Sequence, residues 1–131
     1  MNNEELNKKF MAFEQQIRQI QEQLHAVDNA IFEMNAIDSG LSELEGNTGK
    51  EIMAPIGRGI FVKAKLLSEE LTVDVGNNHF VKKDIPKTKE LIQNQIKKLG
   101  EMKNELENSL ESINKEITQS MLEAQNANSQ E

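Results

Sequence analysis

A chain of 131 residues, 4% aromatic and 28% charged with no Trp or Tyr, has room for one domain and few bulky side chains for a thick core. With no cysteine it excludes disulfides, thiolate metal sites and Cys nucleophiles. Its net charge of −7 includes 9 acidic against 3 basic side chains in residues 1–45, so it lacks the basic stripe of a nucleic-acid binder.

The first expected element is a helix over residues 3–45. Leu6, Phe13, Ile20, Val27, Met34 and Leu41 recur every seven residues, and Phe10, Ile17, Leu24 and Ile31 form a companion row. Apolar residues spaced alternately four and three apart make a narrow seam that only a partner helix can cover. Asp38 falls where the companion row expects an apolar side chain. Ile37 and Leu44 then take over one position early, a three-residue insertion that overwinds a coiled coil locally.

Between residues 46 and 85 the period changes. Glu45 to Lys50 reads as a loop, Ile52-Met53-Ala54 as a strand ended by Pro55, and residues 59–66 as a longer strand. Leu71 to Val75 alternates, Asn77-Asn78 turns, and residues 79–82 make a fourth strand. The expectation is two successive hairpins with turns at 56–58 and 76–78. Ile60, Phe61, Val62, Leu71, Val73, Val75, Phe80 and Val81 supply its apolar surface. Four short strands have edges that must be paired or covered, so other subunits are expected to complete the sheet.

The second helix is expected from Pro86 to Ala124, with Pro in the first turn and residues 125–131 as a frayed polar tail. Ile85, Ile92, Leu99, Leu106 and Ile113 carry its seven-residue row, with Ile96, Leu110 and Ile117 beside them. Lys89 and Lys103 also fall in the seam, where a polar residue fixes register at some cost in stability. The fold class expected is α+β: a long antiparallel two-helix coiled coil joined by two central β-hairpins. Antiparallel pairing then sets residue i roughly opposite residue 131 − i, within one turn.

That arithmetic makes the chain ends the place to look for binding. Phe13 meets Ile117 and Ser120, Phe10 meets Met121 and Ala124, and Leu6 meets Ala124 and the polar tail. Large side chains facing small ones are expected to leave Leu6, Phe10 and Phe13 partly open, with Met11, Met121 and Leu122 nearby. Plain fraying of a seam is the competing reading. If the ends do bind, replacing Phe10 and Phe13 with Ser preserves assembly and weakens binding.

Catalytic signals are poor. His25 and His79 have no converging partners, and Gly57-Arg58-Gly59 lacks the spacing of a phosphate loop and reads as a turn. Carboxylate pairs such as Glu101 with Glu105 lie on a solvated helix face. No enzyme activity, cofactor or metal is expected. There is no run of about 18 apolar residues, and Met1 to Glu5 lack signal-peptide character, so the expected location is cytoplasmic with no membrane contact.

The layout resembles the prefoldin family, α class. The most specific stretch is Pro55-Ile56-Gly57-Arg58-Gly59-Ile60-Phe61-Val62-Lys63-Ala64-Lys65, similar to the family's turn leading into a strand. Val73-Asp74-Val75-Gly76 and Phe80-Val81-Lys82-Lys83 follow in family order, while Asn77-Asn78-His79 departs from the small residues usual there. The resemblance implies one domain over 1–131 in a hexamer of two α and four β subunits, built on a β double barrel. It implies ATP-independent capture of unfolded clients at coiled-coil tips and transfer to a group II chaperonin. Partners would be β-class subunits and a second copy of this chain. Two other readings use the same residues: a filament-forming structural protein, or a scaffold that sets distance without binding clients.

Overall fold

A computed structural model describes residues 2–129, with side chains described from 2 to 127. Helix α1 spans Asn3–Leu44, strands β1 to β4 span Glu51–Gly57, Ile60–Lys65, Leu71–Asp74 and Phe80–Lys83, and helix α2 spans Ile85–Ser129. Contacts divide the chain into two units, one from 1–31 with 98–131 and the other from 32–97.

In the first unit the starts and ends of the two helices pair. Asn2 caps α1: its Oδ1 accepts the Glu5 N–H at 2.8 Å, and Glu4 and Glu5 place negative charge at the positive end of the helix dipole. Phe13 and Val27 on α1 and Ile113 and Ser120 on α2 are its buried side chains. Lys103 Nζ meets Asp28 Oδ1 at 2.8 Å, and 28 and 103 sum to 131. The Asp28 hydrogen bond, followed by its charge, raises the Lys103 pKa above the ordinary 10.5.

The second unit holds the inner helix segments and both hairpins. Lys89 Nζ donates to Ser42 Oγ at 2.6 Å and lies 3.9 Å from Glu45 Oε1. Gln93 Nε2 donates to Asp38 Oδ1 at 3.4 Å. The pairs 42–89 and 38–93 share one sum, so the polar seam residues of this unit hold one register. The expected insertion fails at 37 and holds at 44, where Leu44 is half-buried and Glu45 is exposed. Ile37 is exposed and Asp38 is half-buried in the regular row, because Gln93 gives its carboxylate a partner.

Strands β1 and β2 pair antiparallel, with Ile52 opposite Ala64 and Pro55 opposite Phe61. The first strand runs through Pro55 to Gly57 instead of stopping there, since the register shifts between these two residues and a shift tolerates a residue without an N–H. The turn is therefore Arg58-Gly59, both at positive φ as a two-residue hairpin turn of the favoured hand requires. Strands β3 and β4 form a separate pair with Val73 opposite Val81. The last strand begins at Phe80, because His79 sits in the turn and accepts the Val75 N–H at 2.8 Å. Asn77 and Asn78 take positive φ, which asparagine tolerates, so the departure from small residues keeps the hairpin.

Helix α2 starts one residue before Pro86. Asp84 caps it, accepting the Lys87 N–H at 2.8 Å, while Thr88 donates both its N–H and its hydroxyl to the Asp84 carbonyl. Its far end corrects the frayed tail: residues 125–129 are helical, consistent with the good helix formers Ala124, Gln125 and Ala127. Gln130 and Glu131 lie outside the described residues.

The raised Lys103 pKa sets a pH dependence. A lysine whose folded pKa is raised stabilises fully below its unfolded value, and that contribution is lost as pH rises through the folded value. In a double-mutant cycle of Asp28→Asn and Lys103→Met, followed by thermal unfolding, the coupling should hold from neutral pH to the ordinary lysine value of 10.5. It should vanish above the folded value. Coupling already absent at neutral pH would contradict the pairing.

Candidate functional site

Two surfaces have the character of binding sites, and the hairpins form the first. Each hairpin contains only two strands, so every strand keeps one unpaired edge. Ile60, Phe61, Val62, Val75, Phe80 and Val81 are exposed, while Leu71 and Val73 are half-buried. Met53, Ile56 and Leu67 are also exposed and were not among the expected residues. Ile56 was missed because the strand was expected to stop at Pro55, and Leu67 because it lies in a loop. Open edges beside exposed apolar side chains are what partner strands cover, and a two-stranded hairpin is marginal alone.

The second surface lies at the outer part of the first unit, and here the expectation needs correction. Phe13 is 6% exposed and so is buried in the seam, while Leu6 and Phe10 are half-buried and keep part of their surface open. The two phenyl rings stand 6.3 Å apart and tilted by 56°, and Lys9 Nζ lies 5.9 Å from the Phe13 ring centre. Ser120, set near Phe13 by the pairing arithmetic, is 5% exposed. Both members of this large–small pair are buried, so the size mismatch does not open Phe13.

Three of the six expected residues are turned outward. Met11 is 67% exposed, Met121 54% and Leu122 56%. The apolar surface offered there is thus unbranched thioether and leucine, which adapt to varied contacts. Phe32, in the second unit, is exposed too; as an isolated apolar residue off the seam it left no periodic signal. His25 and His79 are exposed, and no group of three or more metal-ligating side chains occurs among the described residues.

A family model for prefoldin subunits matches residues 7–130. The chain belongs to the prefoldin family. It is 36% identical over 88 residues to a prefoldin subunit alpha of Methanobrevibacter smithii, covering 66% of this chain and 60% of that relative. The aligned part spans less than two thirds of that relative's length. Identity to a prefoldin subunit alpha of Methanococcus vannielii is 32% over 120 residues, covering 88% of this chain and 81% of the relative. Among solved structures, a cryo-EM structure of filamentous PFD from Methanocaldococcus jannaschii superposes with a TM-score of 0.77 at 23% identity. That likeness covers 89% of this chain and 98% of the other. The fold is therefore the prefoldin fold of two long helices and two antiparallel hairpins.

Prefoldin is a non-enzymatic chaperone family whose subunits form oligomers with other prefoldin subunits. No helix among the described residues is long and apolar enough to cross a membrane.

Burial separates the two aromatic positions from the outward ones. Replacing Phe13 with Ser should lower unfolding stability by about 3 kcal/mol, as truncating a buried phenyl ring does. Replacing Met11 with Ser should change it by less than about 0.5 kcal/mol. Chemical denaturation of the two variants checks this, and equal losses would mean that Phe13 is not held in the seam.

Proposed function

We propose that this chain, as one α-class domain over 1–131, is a subunit of an ATP-independent cytoplasmic co-chaperone. It holds unfolded polypeptides at its coil ends and passes them to a group II chaperonin. The observation that carries this reading is the pairing of two kinds of exposed apolar surface with family membership. One kind lies along unfinished strand edges and the other on side chains near the chain ends.

The hairpins are the assembly surface, with Ile60, Phe61, Val62, Val75, Phe80 and Val81 covered by strands of β-class subunits and of a second α copy. A hexamer of two α and four β subunits would close the β layer. The ends are the client surface, and the burial of Phe13 moves the contact role to Met11, Met121 and Leu122, with Leu6 and Phe10 beside them. Each end grips an apolar segment weakly. Several ends on one assembly raise the effective concentration for the next contact, and weak single contacts allow release without ATP.

A filament is the second reading, favoured by the likeness to a filamentous prefoldin and by strand edges that any copy can extend. Light scattering and native mass of the purified chain, alone and with a β-class subunit, separate a closed complex from open polymers.

The client assignment has its own test. The triple variant Met11→Ser, Met121→Ser, Leu122→Ser should assemble at the wild-type mass and suppress aggregation of a denatured test protein at least about threefold less well. Full suppression by a correctly assembled variant would remove the end residues from client binding and favour the scaffold reading.

A further inference from the structure

Two of the three large apolar side chains exposed near the chain ends are methionines, the third being Leu122. Met11 on α1 is 67% exposed and Met121 on α2 is 54% exposed, whereas of the seam residues beside them Phe13 is buried and Leu6 and Phe10 are half-buried. The helix register sets Met11 level with Ser120, so the two methionines sit at one level of the first unit. The chain contains no cysteine, tryptophan or tyrosine that would compete for an oxidant. Met34 lies half-buried in the seam, and Met53 is exposed on a hairpin strand. Met102 on α2 is 50% exposed but level with Asn29, away from the chain ends, so it reports oxidation that leaves the ends untouched.

We propose that Met11 and Met121 are paired oxidation sites at which a peroxide reversibly weakens client capture. This rests on the client-holding reading above. The thioether sulfur attacks one oxygen of hydrogen peroxide, a sulfur–oxygen bond forms, and the oxygen–oxygen bond breaks. The proton of the attacked oxygen moves to the departing one, which leaves as water. Sulfur loses two electrons and the peroxide gains them. A dithiol reductant reverses the step, becoming a disulfide as the sulfoxide oxygen leaves as water.

A sulfoxide replaces a flexible apolar side chain with a polar one that prefers water to a client's apolar surface. The helix fold does not depend on either side chain being buried, so the modification acts on binding while the coil stays intact. Because capture is multivalent, a modest loss at each end multiplies over the contacts made by one client. Oxidation therefore changes holding capacity more than it changes stability.

The test uses the assembled oligomer with guanidine-denatured luciferase as client and hydrogen peroxide as oxidant. Peptide mass spectrometry should show one added oxygen at Met11 and at Met121 before Met34 reacts. Suppression of aggregation should then fall about threefold to tenfold, with helicity and native mass unchanged, and methionine sulfoxide reductase with a dithiol should restore it. The Met11→Leu, Met121→Leu oligomer should keep its own untreated level of suppression after peroxide. Full suppression by protein carrying both sulfoxides would overturn the proposal, as would equal loss in the leucine variant. The untreated triple serine variant separates the two readings. If it holds clients fully, the client assignment itself fails; if it loses holding while the doubly oxidised protein keeps it, only the oxidation site fails.

Discussion

A two-stranded hairpin satisfies the hydrogen bonds along one edge of each strand and leaves the other edge open. Both hairpins of this chain are in that condition, and both expose apolar side chains that an isolated subunit has no means to cover. Among the described residues no further strand pairs with these edges. The unfinished sheet makes association with other subunits a physical requirement, and the proposed holding of clients depends on it. Holding by several weak contacts needs several ends on one body.

The helices have the complementary problem of choosing one alignment among several that bury a similar stripe. Polar residues in the seam decide it. Lys103 with Asp28, Gln93 with Asp38, and Lys89 with Ser42 each satisfy their hydrogen bonds in one register, and slipping by a heptad would strip all three. The individual contacts are exposed enough to contribute little stability. Their value lies in selection. Fixing the register also fixes which side chains near the ends face outward.

Much of the fold is legible in the sequence because its signals are periodic. The seven-residue rows locate both helices, alternation with turn residues locates both hairpins, and the sum of 131 follows from the loop between the helices. Errors cluster where a local rule was overridden by a partner that the sequence does not place. Asp38 looks like a break in the seam until Gln93 is set opposite it. Pro55 looks like a strand end until the register shift beside it removes the need for its N–H. The ends were least legible. Size mismatch between facing residues suggests an opening, but a small residue such as Ser120 equally leaves a large ring room to be buried, and period alone does not distinguish the two. Met11, Met121 and Leu122 were placed near the site by sequence position; their outward orientation was not deducible from period alone.

The account stands or falls on the strand edges being open in the subunit and closed in the assembly, with the chain ends left free throughout. Amide hydrogen exchange of the chain alone and then assembled with a β-class subunit measures this directly. The account predicts strong new protection over residues 51–57, 60–65, 71–74 and 80–83 on assembly, with little change over 4–14 and 115–125. Hairpins already protected in the lone subunit, or new protection confined to the chain ends, would contradict it.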